Sequence, residues 1–253
     1  DKEQKRGAQQ GGVTESVQIP VGSADVKEMI AQNLYADKTA YITKLFRTNG
    51  IYYFFIRPRR FGKSLLLDTI DQIAKGNKAL FKRCAIYADQ TYKWKRYPVI
   101  WLNFSELAKD NLVELKKSLN RKLYKIAKYY KIQDQLNIVI DEACEDYLAE
   151  ILDCLMHIDN YEPTPIILID EYDSPLIFCA KDQYEEVLAV LSSFFEVLKS
   201  RQKDCKFIFV TGVTKFHLSG LTSGANSAND ISLHEDYAEM LGYTEEDIEK
   251  LFF

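Results

Sequence analysis

Eight residues near position 60, RPRRFGKS (Arg57 to Ser64), carry the groups needed to hold a chain of phosphates. Gly62 lets the backbone approach closely, and the ammonium of Lys63 suits the β- and γ-phosphates. The hydroxyl of Ser64 is a hard oxygen ligand suited to magnesium. Backbone N–H groups of the loop and of the helix start after it complete the cradle. The candidate nucleotide-binding set is Arg57, Arg60, Phe61, Gly62, Lys63, Ser64 and Leu65. Gly-Lys-Ser alone is a weak signal, since three residues recur by chance.

A second constellation corroborates it. IILIDE ends in Asp170 and Glu171 at the carboxyl end of an all-apolar run. Ligands of open α/β sheets sit at that edge. Asp170 together with Ser64 is the candidate magnesium set, and Glu171 can polarise an attacking water. Thr211 closes a further apolar run, KFIFVTG, and is the second candidate catalytic residue. Lys215 stands four positions on.

These residues must be positioned by strands and helices, and the patterning supplies both. IYYFFI (51–56), PVIWLNF (98–104), PIILID (165–170) and KFIFVTG (206–212) read as buried strands, with ISL (231–233) as a short fifth. Helices are expected over 24–33, 39–48, 62–75, 110–131, 140–158 and 182–201. The spacing of Leu112, Leu115, Leu119, Leu123, Ile126 and Tyr130 puts them on one helix face. Strands alternating with helices predict an α/β domain with a parallel sheet covered on both faces. A Gly/Ser/Asn-rich loop is expected over 217–230, and Thr244 with Asp247 reads as a helix cap.

Composition agrees with a globular chain. Of 253 residues 47% are apolar, enough for a sizeable core. Net charge is −4, so no global attraction to nucleic acid or anionic membrane follows. The basic face of helix 110–131 and KWKR at 93–96 keep a local nucleic-acid reading open beside the plainer one, a solvated face complementing the acidic helix that follows. Five cysteines without a CxxC argue for reduced thiols in a cytoplasmic setting, and no apolar run is long enough to span a bilayer. The polar first 18 residues read as a disordered tail.

RPRRFGKSLLL, with IPVG and YADKTAYI upstream and PVIWLNFS, LIDEYDSP and FVTGVTKF downstream, resembles the bacterial AAA-ATPase-like family of predicted ATPases. The likeness runs from about residue 19 onward. It implies a P-loop NTPase of ASCE type with strand order 5-1-4-3-2, ATP and magnesium as ligands, and ATP hydrolysis. Members often carry a restriction-type nuclease domain after the ATPase. Residues 19–243 are then the P-loop core and 244–253 the start of a helical lid or next domain. On that reading the chain ending at position 253 binds nucleotide weakly and turns it over slowly.

Two departures from a general P-loop stand out. Arg57 replaces the first glycine, and the resemblance shares this change. Arg57, Arg59 and Arg60 bring charge to the loop, either for phosphate or for pairing with Asp173 or another carboxylate. After Asp170 the one arginine is Arg201, so no arginine finger is visible within the chain. The alternatives to an ATPase are a nucleotide-gated regulatory module with negligible turnover and a nucleic-acid-binding module. No NKxD motif favours GTP, and homo-oligomerisation is compatible with all three readings.

Lys63 offers the sharpest test at this level. Lys63→Ala is expected to weaken ATP affinity by about 2–3 kcal/mol through loss of a charge-assisted contact, measured by calorimetry on the folded variant.

Overall fold

The structure is a computed structural model that describes residues 24–137, 143–215 and 228–252. Its centre is a five-stranded, all-parallel sheet of order β2-β3-β4-β1-β5. The strands are β1 (Ile51–Ile56), β2 (Val99–Asn103), β3 (Ile166–Asp170), β4 (Phe207–Gly212) and β5 (Ala228–Asp230). Read from the other edge this is 5-1-4-3-2, so β4 separates the strand leading to the loop from the strand ending in Asp170.

Alternation along each strand builds two cores. Tyr52, Phe54, Ile167, Ile169, Ile208 and Val210 face one side. There they meet α5 (Leu112–Tyr129), α6 (Cys144–Leu155) and α8 (Tyr184–Ser200). Tyr53, Phe55, Ile166, Leu168, Phe207 and Phe209 face the other, against α2 (Thr39–Phe46) and α3 (Lys63–Ala74). The remaining α-helices among the described residues are α1 (Val26–Ala31), α4 (Ala85–Ala88), α7 (Ser174–Phe178) and α9 (Glu245–Phe252). None of the described helices is long and apolar enough to cross a membrane.

The stripe expected on α5 is seen, with Leu115, Leu119 and Leu123 buried. On α8 Val187, Leu191, Phe194, Phe195 and Leu198 are buried, and Val190 is half-buried. Among the described residues, no basic side chain of α5 forms an ion pair with α6. Lys122 is bonded to Glu106, while Lys117 and Arg121 approach Glu114 of their own helix. Part of the acidic run, 141–142, lies outside the described residues, as does 216–227 of the expected Gly/Ser/Asn-rich loop.

The fifth strand falls at 228–230, not at 231–233. Asp230 accepts the amide of Ser232 at 2.9 Å and bends the chain. Ile231 still bonds the carbonyl of Phe54, but the amide of Ile56 is met by the Ser232 hydroxyl at 2.8 Å, and Leu233 is exposed. A side chain replaces the ladder where strand pairing would have continued.

Gly212 ends β4 under the ring of the buried Tyr172. A Cβ there would lie 2.4 Å from Tyr172 Cδ1 and Cε1. Gly212→Ala is therefore expected to cost about 1–3 kcal/mol of stability by overpacking, read from the urea midpoint. A wild-type midpoint would mean that the ring yields freely.

Candidate functional site

The loop between β1 and α3 is shaped by two left-handed residues. Gly62, the residue capping α3, has φ 84°, and Arg60 has φ 63°. Glycine takes this conformation at no steric cost, whereas an arginine is strained there. The amide of Arg57 bonds the carbonyl of Gly212 at 3.2 Å, fixing the loop's entry to the end of β4. Lys63 then reaches back, its Nζ donating to the carbonyls of Arg57 and Pro58 at 2.7 Å each. Burial pushes the Lys63 pKa down, while Asp170, Glu171 and Asp173 pull the other way.

Asp170 gathers the site. It is 1% exposed, and its two oxygens accept the hydroxyls of Ser64, at 2.5 Å, and of Thr211. Ser64 and Asp170, expected from separate motifs, are thus adjacent oxygen donors. Such a pair suits a hard cation. Thr211 is fully buried and bonds Asp170 rather than lining the cavity.

The residues after Asp170 lash β3 to β4. Tyr172 donates its amide to Thr211 and its hydroxyl, at 2.6 Å, to the carbonyl of Thr214. Asp173 accepts the amides of Val213 and Thr214 at 3.0 and 2.7 Å. Asp173 is therefore occupied by backbone and does not pair with the loop arginines. Glu171 is left in the left-handed region at φ 50° and lines the cavity.

That cavity measures about 740 Å³. One wall is Arg59 through Leu66 with Glu171. The other comprises Met29, Tyr35, Ala36 and Lys38 from the N-terminal part and Met240 to Tyr243 from the C-terminal part. Six of the seven expected nucleotide-binding residues line it. Arg57 does not: its guanidinium lies 4.9 Å from the Phe55 ring centroid and donates to the Ile56 carbonyl. Lys215 pairs with Asp230 at 2.6 Å, and Arg201 with Asp153 and Asp204 at 2.5 Å.

Comparison with known proteins follows this geometry. The Predicted AAA-ATPase family (AAA-ATPase-like) matches residues 20–222. The chain belongs to that family. A relative, an uncharacterized protein in the vnfD 5' region of Azotobacter chroococcum mcd 1, is 31% identical over 222 residues, 86% of this chain and 41% of that protein. The chain thus spans about two fifths of that relative's length. Among solved structures, the Walker-type ATPase paby2304 of Pyrococcus abyssi is similar over 74% of this chain and 47% of its own, with TM-score 0.41 and 17% identity.

At the second wall the N-terminal part of the chain meets the segment that leads into its last helix. In this AAA-ATPase-family chain Lys38, which lines the cavity, bonds Asp247 at 2.8 Å. Thr244 and Asp247 cap α9 reciprocally: each backbone amide bonds the other's side chain, at 2.9 and 3.1 Å. What the sequence did not supply was Met240 to Tyr243 on the same wall. A left-handed glycine, Gly242 at φ 77°, is the local signal there.

Burial alone would raise the Asp247 pKa, but the bonds from Lys38 and Thr244 outweigh it and hold the carboxyl below its ordinary value. A depressed carboxyl stabilises above its unfolded pKa of about 4, and that contribution is lost as pH falls through the lower folded value. Protection of the α9 amides from exchange, relative to their intrinsic rates, is therefore expected to fall below about pH 4. Lys38→Met should flatten this dependence by bringing the folded pKa closer to the unfolded one, and an equal fall in both proteins would show that Lys38 does not set it.

Proposed function

We propose that the protein binds ATP with magnesium in this cavity and hydrolyses it, as the ATPase module of a longer protein. The observation that carries the reading is the buried Asp170 accepting Ser64 and Thr211, with Lys63 and Glu171 beside it. Ser64 and Asp170 are the residues that would hold magnesium, directly or through water, and the metal would neutralise charge on the phosphates. Lys63 would exchange its two loop carbonyls for phosphate oxygens, which are stronger acceptors because they are charged. Backbone N–H groups in the first turn of α3 have no partners within the helix and favour an anion.

Glu171 is the base in this scheme. It accepts a proton from water as the water oxygen attacks the γ-phosphorus and the bond to the departing ADP oxygen breaks. Its backbone strain has a use here, because a relaxed residue at 171 would not be turned toward the cavity in the same way. Thr211 acts by orienting Asp170 and does not itself touch substrate. The apolar wall of Met29, Tyr35, Leu241 and Tyr243 suits a nucleobase. Magnesium, nucleotide identity and cytoplasmic location belong to this proposal.

The second reading is a nucleotide-gated module with negligible turnover. Tying Lys63 to loop carbonyls favours it, because nucleotide entry then becomes a conformational event in the loop. Glu171→Gln separates the two. It should keep ATP bound while hydrolysis falls by about 10²-fold or more, whereas Asp170→Ala should lose binding and magnesium dependence together. Phosphate release and calorimetry measure both. Equal turnover in wild type and Glu171→Gln would leave the gated module as the better reading.

A further inference from the structure

The chain lacks an arginine downstream of Asp170 that is free to reach phosphate, since Arg201 is held by Asp153 and Asp204. The loop itself holds three arginines, and they differ in placement. Arg57 is turned back onto Phe55. Arg60 lines the cavity from a strained backbone. Arg59 lines the cavity as well, and its guanidinium rests 5.5 Å from the ring centroid of Phe178.

Phe178 ends α7, the short helix that begins three residues after Glu171, and it is 48% exposed. Arg59 is also near enough to Lys63 for its charge to oppose the ammonium there. One guanidinium therefore shares a field with Lys63, a cavity wall with Glu171, and an aromatic rest outside. A cation on an exposed ring is weakly held, and a phosphate in a desolvated cavity is the stronger partner.

We propose that Arg59 is a catalytic residue that supplies in cis the charge an arginine finger would bring, and that Phe178 is its positioning residue. The inference rests on the ATPase reading above. Arg59 forms no covalent bond. As the γ-phosphorus takes the water oxygen and the electron pair of the broken bond passes to ADP, the guanidinium neutralises charge gathering on the phosphoryl oxygens. Phe178 holds it close to that position and keeps it from the carboxylates of the site.

Steady-state ATP hydrolysis with calorimetry of ATP and ADP tests this on wild type, Arg59→Ala, Arg59→Lys, Phe178→Ala and Phe178→Tyr. Arg59→Ala is expected to lower kcat by about 10²-fold or more, with ADP affinity changed less than about threefold, since ADP has no γ-phosphate. Arg59→Lys should not restore the rate, because a point charge lacks the planar fork. Phe178→Ala should lower kcat about three- to tenfold, and Phe178→Tyr, which keeps the aromatic face, should recover it. Wild-type kcat in Arg59→Ala overturns the proposal, as does a loss of ATP and ADP affinity in parallel with kcat unchanged at saturation. Unaltered kcat in Phe178→Ala overturns its positioning part. If wild type binds ATP and releases no phosphate, the ATPase reading itself has failed, and this proposal fails with it.

Discussion

One buried carboxylate holds the site together. Asp170 is removed from water, and an ionised group so placed is stable only with partners for its oxygens. The partners are hydroxyls from the start of α3 and the end of β4, so three elements must meet at one point. The sheet order makes this demanding. β1 and β3 are not neighbours, and the loop leaving β1 has to pass over the end of β4 to bring Ser64 to Asp170. The bond from the Arg57 amide to the Gly212 carbonyl marks that passage.

The residues after Asp170 divide their work according to the same constraint. Tyr172 and Asp173 are used on β4 and the turn beyond it, through the Thr211 and Thr214 carbonyls and the Val213 and Thr214 amides. Gly212 is the small residue that lets the Tyr172 ring close over the strand end. With its neighbours on both sides anchored, Glu171 is held at φ 50°, a conformation costing on the order of 1–3 kcal/mol for a residue of its type. The strain is maintained by the Tyr172 hydroxyl and the Asp173 carboxylate, which bond backbone groups of the turn beyond β4, so Glu171 is aimed through the anchorage of its neighbours.

Much of this was legible in the sequence. Continuous apolar runs located four strands because a strand buried on both faces has no polar side to show. The Thr244–Asp247 cap was readable because its two residues satisfy each other locally. The fifth strand was misplaced by three residues because pairing on β1 was decided by a turn at Asp230, which hydropathy does not register. The placement of Arg57 outside the cavity had a cue in the sequence: Phe55 and Arg57 are two apart along an extended chain and share a face, so the ring is a near support for the guanidinium. The cavity's second wall joins residues near position 35 to residues near 241, and no local pattern reports a contact over that separation.

The site is thus rigid on one side and adaptable on the other. Asp170 and Thr211 are buried and Ser64 is half-buried; both hydroxyls bond Asp170 from different elements, so their geometry is set by the fold. Arg59, Arg60 and Phe61 are exposed and held by single contacts or by none that burial enforces. On the proposed ATPase reading a triphosphate would bring several negative charges at once, and Lys63 alone, disfavoured as a cation by its own burial, would answer only part of that charge. Exposed arginines are suited to supply the rest, because they remain charged at any working pH and their desolvation is incurred only when the anion is there to offset it. Burying them permanently beside Lys63 would set like charges together in low dielectric. Leaving them on the outer lip of the loop avoids that repulsion and, on the proposed ATPase reading, would make charge neutralisation depend on the arrival of the nucleotide.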